Sequence, residues 1–422
     1  MRNLRYILLL LQLLSFMPLT AQTDDEVVDV DSDNDVDSAL VDSIIDSDTV
    51  KCLPWPENVQ TKVGLLLQSD MFQTSQVGMM IWDLTADSCI YKQNERQLMR
   101  PASCMKLVTA ITAIDELGGG YQFKTRLKYT GRIKDKVLDG DLYCIGGMDP
   151  RFNADDMTAF AASLSEMGID TIRGNIYADK SMKDSNLFGE GWCWDDDNYT
   201  LSPLLISRED SFVSRFIDKL HDDSIFYAGP SDLVKQCPSE SYLITTRAHS
   251  IDQILMKMMK ESNNLYAESM YYQIAASTGN HPASAKSARA VERRLVNKVG
   301  LDASKYKFAD GSGLSLYNYV TAEMLVRLLR YAVQNDNIYM HLLPSLPIAG
   351  VDGTLRKRMK GSLTCGNVHA KTGTLTGCIS LSGYCTASNG HRLCFSIINN
   401  GIMHDNNARN FQNKVCMAMC QP

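Results

Sequence analysis

The chain has 422 residues, of which 45% are hydrophobic, 22% charged and 8% aromatic, and its net charge is −7. That length predicts two or three domains with ample material for a core. The composition excludes a collagen-like, coiled-coil or wholly disordered chain, and the acidic balance argues against a nucleic-acid binder.

The acidity is local. Residues 22–50 hold eleven acids, from Asp24 to Asp48, and no base. Residues 51–422 hold 40 Lys and Arg against 38 Asp and Glu, a net of +2. Taken in chain order, Arg2 and Arg5 precede the apolar run Tyr6–Leu14, and Leu19-Thr20-Ala21 follows as a cleavage site. This is the pattern of a secretory signal peptide over 1–21. The run is shorter than the roughly 20 residues of a membrane span, so no stable span is expected after cleavage. Export to the periplasm or cell envelope follows as an expectation. Residues 22–50, acidic and without aromatics, read as a disordered tether. Asp29 to Asp35 lacks the glycine and terminal glutamate of a calcium loop. No zinc spacing occurs among the cysteines and histidines, so no metal and no cofactor are expected. The twelve cysteines permit one or two disulfides in an exported chain, with pairings left open.

Val77–Tyr91 predicts strand, turn, strand. Arg100-Pro101-Ala102 leads into a helix with Leu107, Ala110, Ile111 and Ile114 on one face, ended by Gly118-Gly119-Gly120. Residues 122–180 show short strand signals, and 185–245 reads as loop rich in Trp, Tyr and Asp. A helical stripe follows at Ile251, Ile254, Leu255, Met258 and Met259. The end predicts a hairpin turning at Asn389-Gly390, then a helix over Asn406–Cys420. Strands at both ends with helices between predict an α+β domain whose sheet joins the termini.

Three motifs occur in order: Ser103-Cys104-Met105-Lys106, Ser262-Asn263-Asn264 and Lys371-Thr372-Gly373, the last followed by Thr374. Each alone is weak; together they resemble the S-x-x-K, S-D-N, K-T-G signature of penicillin-recognising enzymes. A further Ser304–Lys307 match has no helix behind it and reads as chance. The chemistry needs these residue types. A serine hydroxyl is a poor nucleophile until a base takes its proton. Residues i and i+3 share a helix face, so Lys106 can serve Ser103 once burial and a second cation, Lys371, lower its pKa. Ser262 can relay a proton to the leaving amine. The backbone N–H groups of Ser103 and Thr374 can form an oxyanion hole. Asn264 can hold a substrate amide, and Lys371, Thr372, Gly373 and Thr374 a substrate carboxylate. Bland alternatives are a helix cap at Ser103, a turn at Ser262 and a strand edge at Lys371.

On these residues the chain resembles the D-alanyl-D-alanine carboxypeptidase/endopeptidase family of the penicillin-binding protein 4 type, the class C low-molecular-mass penicillin-binding proteins (peptidase family S13). Leu346–Leu355, His369–Gly377, Leu381-Ser382-Gly383-Tyr384 and Asp310–Ser315 are similar to family segments. Gly140–Tyr143, Gly146–Pro150 and Gly191–Asp196 are similar to its inserted domain. The resemblance covers roughly 60–420. It implies an α+β penicillin-recognising serine peptidase, or β-lactamase-like transpeptidase, fold: an antiparallel sheet flanked by helices, with a strand-rich insertion. The expected division is 51–125 and 246–422 for the transpeptidase-like domain and 126–245 for the insertion. The implied activity is removal of terminal D-alanine from peptidoglycan stem peptides, or cleavage of D-alanyl cross-links, through an acyl-enzyme that β-lactams trap.

Three departures stand out. Ser103 and Ser262 are only 159 positions apart, and a second insertion is mostly absent between about 212 and 245. Leu316 stands where many members have arginine. The second motif reads Ser-Asn-Asn. Two alternatives are a β-lactamase and a non-catalytic β-lactam or wall-binding protein. For the first, the nearest match to a deacylating E-x-x-L-N loop is Glu292–Leu295, followed by Val296 instead of Asn in a basic helix pattern.

Overall fold

The computed structural model describes residues 53–193, 196 and 199–421. The expected signal peptide (1–21) and tether (22–50) lie outside the described residues, as do Trp194 and Asp195.

Helix α1 (Glu57–Leu66) precedes the hairpin of β1 (Gln76–Asp83) and β2 (Ser88–Gln93). A 3₁₀ turn at Ala102–Cys104 then runs into α2 (Met105–Leu117). Every residue from Met105 to Ile114 is buried, so α2 is a core helix covered all round rather than an amphipathic surface one. Short strands follow: β3 (Gln122–Tyr129), β4 (Arg132–Lys134), β5 (Val137–Asp139) and β6 (Leu142–Ile145). Next come α3 (Ala154–Glu166), β7 (Thr171–Ile172), β8 (Ile176–Asp179), α4 (Phe212–Asp222) and β9 (Tyr242–Ser250). The helical run is α5 (Ile251–Lys260), α6 (Asn264–Ser277), α7 (Ala285–Lys298), α8 (Ala322–Val333) and α9 (Asp336–Ser345). The chain closes with β10 (His369–Leu375), β11 (Cys378–Thr386), β12 (Arg392–Asn400) and α10 (Asp405–Cys420).

The first and last strands share one five-stranded sheet of order β10-β11-β12-β1-β2. All its pairings are antiparallel, so the sheet does join the two ends of the chain. Against it lies an apolar core in which Leu107 and Ile111 of α2 meet Met258 of α5, Met270 of α6 and Leu328 of α8. A second sheet, β8-β6-β3-β9, and a third, β4-β5-β7, are built between residues 122 and 250. They share a separate core around Leu127, Cys144, Phe160 and Phe216.

Three local features differ from the sequence expectation. Helices α3 and α4 stand where strands and loop are predicted. In α4 the buried residues Phe212, Val213, Phe216, Ile217 and Leu220 recur at helical spacing, a signal masked by the flanking Gly, Pro and Asp. The last hairpin turns through Ala387–His391, with Gly390 at φ +88° and Ala387 N donating to His391 O, a longer loop than a two-residue Asn-Gly turn. Every described cysteine is a free thiol.

Candidate active site

The Ser103 turn is made by tethers rather than by helix propensity. Ala102 has φ +46°, a left-handed conformation that a residue with a Cβ adopts at a cost. Neighbours hold it. Ser380 Oγ donates to Pro101 O at 2.6 Å, and Cys104 Sγ donates to Lys371 O at 3.2 Å. The turn is thus fastened to β11 on one side and β10 on the other. Gly373 lets the strand come this close: a Cβ there would sit 2.2 Å from Ser380 Oγ and 2.9 Å from Ser103 N.

Lys106, one helical turn on, is fully buried. Its Nζ lies 3.0 Å from Ser103 Oγ, 2.7 Å from Asn264 Oδ1 and 2.8 Å from Ser312 O. A neutral amine has two N–H groups and one lone pair. Asn264 Oδ1 and a carbonyl can only accept, so they take the two N–H groups. The lone pair is left for the one partner that can donate, the Ser103 hydroxyl. Burial, and then the charge of Lys371, push the Lys106 pKa well below its ordinary value, which favours that neutral form.

Ser262 has φ +59° and sits in the tight link between α5 and α6. Asn263, the middle residue of the motif, caps α6: its Oδ1 accepts from Tyr266 N at 3.2 Å. Asn264 then begins the helix with its side chain on Lys106. Lys371 Nζ donates to Ser262 Oγ at 2.8 Å and to Thr372 O at 2.6 Å. Lys371 is fully buried, and burial lowers its pKa to about 8. Thr372 Oγ1 donates to Thr354 Oγ1 at 2.7 Å. Thr374 is exposed on β10, paired in the ladder with Ile379. The structure therefore brings Ser103, Lys106 and Asn264 into one hydrogen-bonded group and Ser262, Lys371 and Thr372 into a second. Gly373 lies against Ser103, with Thr374 next along the strand. Ser304, the chance match, is exposed in a 3₁₀ turn.

The supporting residues Glu268 and Asp310 receive no role from the sequence motifs. Glu268, one turn beyond Asn264, is buried and its Oε1 accepts from Gly311 N at 3.0 Å and Ser312 N at 2.8 Å. It thereby aims the Ser312 carbonyl at Lys106. Burial, and then nearby Asp310, push the Glu268 pKa up to about 8. Asp310 accepts from Gly313 N, Ser315 N, Asn318 Nδ2 and Trp192 Nε1 at 2.7–2.8 Å, which shapes the whole 310–318 loop. Glu292 is fully buried and not on a basic surface. Its Oε1 faces Thr109 Oγ1 at 3.4 Å, and burial raises its pKa well above the carboxylate range. A carboxyl enclosed against Thr109 in this way is no base for water at Ser103. At Leu316 the side chain is apolar and partly exposed, and Arg100 Nε donates to its carbonyl at 3.1 Å. Among the described residues no group of three or more His, Cys, Asp or Glu is arranged to hold a metal ion.

The chain is 26% identical over 414 residues to the D-alanyl-D-alanine carboxypeptidase DacB of Haemophilus influenzae, covering 78% of this chain and 86% of that one. It is 26% identical over 434 residues to the D-alanyl-D-alanine carboxypeptidase of an Actinomadura species, covering 80% of each. Among solved structures, penicillin binding protein 4 from H. influenzae superposes with a TM-score of 0.78 at 24% identity, over 85% of this chain and 99% of that one. The same protein complexed with a β-lactam superposes at 0.72 and 25% identity, over the same shares. Residues 59–207 and 206–419 match the D-Ala-D-Ala carboxypeptidase 3 (S13) family. The chain therefore belongs to that family and is a carboxypeptidase of the penicillin-binding type.

Proposed function

We propose that Ser103 is the acylated nucleophile of a carboxypeptidase acting on peptidoglycan stem peptides that end in D-Ala-D-Ala. The observation that carries this reading is the Lys106 amine, 3.0 Å from Ser103 Oγ with its other two partners able only to accept. Lys106 takes the Ser103 proton as Oγ attacks the carbonyl carbon of the penultimate D-alanine. The N–H groups of Ser103 and Thr374 receive the oxyanion. As the tetrahedral species collapses, Ser262 passes a proton to the departing D-alanine nitrogen, and its hydroxyl is kept in line by Lys371. Lys371, with the Thr372 and Thr374 hydroxyls, holds the terminal carboxylate. The Asn264 amide orients the substrate backbone, and Gly373 keeps the strand close to the nucleophile. Water then hydrolyses the ester on Ser103.

β-Lactams enter the same cycle. Their ring carbonyl acylates Ser103, but no leaving group departs. Glu292, enclosed against Thr109, activates no water for rapid release. The segment 126–245 acts as an inserted domain whose Trp192 braces Asp310. Residues 1–21 direct export to the envelope, where the substrate lies.

The test is digestion of defined monomeric and cross-linked muropeptides, read by mass spectrometry. Loss of one alanine from pentapeptide monomers, abolished by Ser103→Ala, is the expected result. Alanine release that persists in Ser103→Ala would overturn the assignment.

A further inference from the structure

Strand β3 alternates cleanly. Phe123, Thr125 and Leu127 face the inner core, while Gln122, Lys124 and Arg126 are exposed on the other face. Between β6 and β9 this face is the open side of the second sheet. The end of α6 overhangs it. Gln273 Nε2 donates to Gly147 O and its Oε1 accepts from Tyr121 Oη at 2.7 Å, which fixes the helix to the sheet. The result is a cleft of about 520 Å³ lined by Lys124, Arg126, Gln122, Gln236, Ser181 and His281, among others. None of its lining residues is Asp or Glu.

Several cations elsewhere in this region face carboxylates, as Arg132 does Asp139, Lys180 does Asp210 and Arg247 does Asp156. Lys124 and Arg126 pair with no described carboxylate. Two unpaired cations two positions apart on one strand face lie about 7 Å apart. Flanked by amide side chains, they form a polar, positively charged cradle in a body whose net charge is only +2.

The cleft shares its supports with the catalytic groups. Helix α2 runs from the Ser103 turn towards Tyr121, and α6 runs from Asn264 to Gln273. Gln273 is nine positions beyond Asn264 in α6, about 14 Å along the axis. The helix that sets Asn264 on Lys106 thus also carries the residue that braces the cleft.

We propose that this cleft binds a carboxylate-bearing segment of the peptidoglycan polymer away from the bond being cut. This rests on the proposed substrate. Stem peptides carry free carboxylates, and the planar guanidinium of Arg126 matches a carboxylate bidentately, with Lys124 adding a point charge. Weak binding at a second point raises the effective concentration of the polymer at the first, and a small soluble peptide gains nothing from it.

The test compares the full chain with Lys124→Gln/Arg126→Gln, Lys124→Glu/Arg126→Glu and Arg126→Lys. Three readouts are taken: co-sedimentation with insoluble peptidoglycan sacculi, alanine release from sacculi against release from a small acylated tripeptide, and penicillin acylation rate. Both double variants are expected to lose sacculus retention and raise the KM for sacculi about tenfold. Their kcat, tripeptide KM and penicillin acylation stay unchanged, and Arg126→Lys retains most binding. Unchanged retention and KM would overturn the proposal. A matching fall in penicillin acylation would make the residues structural and also overturn it. Retention that vanishes when phosphate-bearing polymers are stripped from the sacculi would assign the cleft to phosphate instead. If the wild-type chain is retained yet releases no alanine from any substrate, the catalytic reading fails and the cleft stands.

Discussion

Lys371 Nζ, from the third motif, donates to Ser262 Oγ of the second at 2.8 Å. The two motifs are 109 positions apart in sequence, and the contact turns a strand lysine into the anchor of a loop hydroxyl. It also explains how Ser262 keeps φ +59°: the residue is held from both sides, by the chain and by the ammonium.

Ser262→Ala is expected to slow penicillin acylation about 10²–10⁴-fold, the range of a lost proton-transfer group. Ser262→Gly should slow it equally but be roughly 1 kcal/mol more stable than Ser262→Ala, because both lose the Lys371 contact and only glycine accepts the left-handed conformation without strain. Stopped-flow acylation and thermal unfolding of both variants check this. Acylation at the wild-type rate in either variant would remove Ser262 from the proton path.

A second expectation concerns pH. Lys371, whose pKa burial lowers to about 8, is an ammonium below that pH and an amine above it. Binding of a terminal carboxylate should weaken as pH rises through about 8. kcat/KM for a D-Ala-D-Ala peptide should fall on that limb, while the same peptide with a C-terminal amide should show no such fall. Parallel profiles for the two peptides would contradict the carboxylate role.

Glu268 should make the protein lose stability with rising pH. Its pKa is raised from 4.5 to about 8 in the fold, so the folded state binds a proton that the unfolded chain has released. Its contribution to stability is greatest below about pH 4.5 and declines towards about pH 8. Glu268→Gln keeps an oxygen to accept from Gly311 and Ser312 and has no charge to bury. The melting temperature of the variant should fall less than that of the wild type between about pH 5 and 8, by linkage. Equal slopes would show that Glu268 is not the group responsible.

Gly373→Ala places a methyl group 2.2 Å from Ser380 Oγ and 2.8 Å from Pro101 O. Overpacking of this kind costs about 1–3 kcal/mol and should displace the Ser103 turn, lowering both melting temperature and acylation rate. Adding Ser380→Ala should rescue only part of the loss, because the Pro101 carbonyl and Ser103 amide are backbone. Full rescue would place the strain on the hydroxyl alone.

Much of the site was legible because its chemistry lies in short, ordered motifs. Ser103 and Lys106 share a helix face by spacing alone, and the Lys371 motif stands just before the predicted terminal hairpin. What spacing could not show was the supporting layer. Ser312 acts through its carbonyl, which leaves no mark in side-chain identity. Glu268 is one carboxyl in a mostly apolar stretch, buried because α6 is covered all round, and Glu292 lies in a basic-looking stretch yet falls on the single buried face of α7. The terminal sheet was legible from apolar strands at both ends. Helices α3 and α4 were missed because turn residues around them dominate the local pattern. Asn263 shows the opposite case: its place inside a motif suggests chemistry, whereas the structure gives it to the cap of α6.

The most direct measurement is the mass of the peptide that carries the adduct after the full chain is treated with penicillin G. One adduct per chain is expected, on the peptide containing Ser103, stable over the time of digestion and absent from Ser103→Ala. An adduct on any other peptide, or one that persists in Ser103→Ala, would contradict the central assignment of the nucleophile.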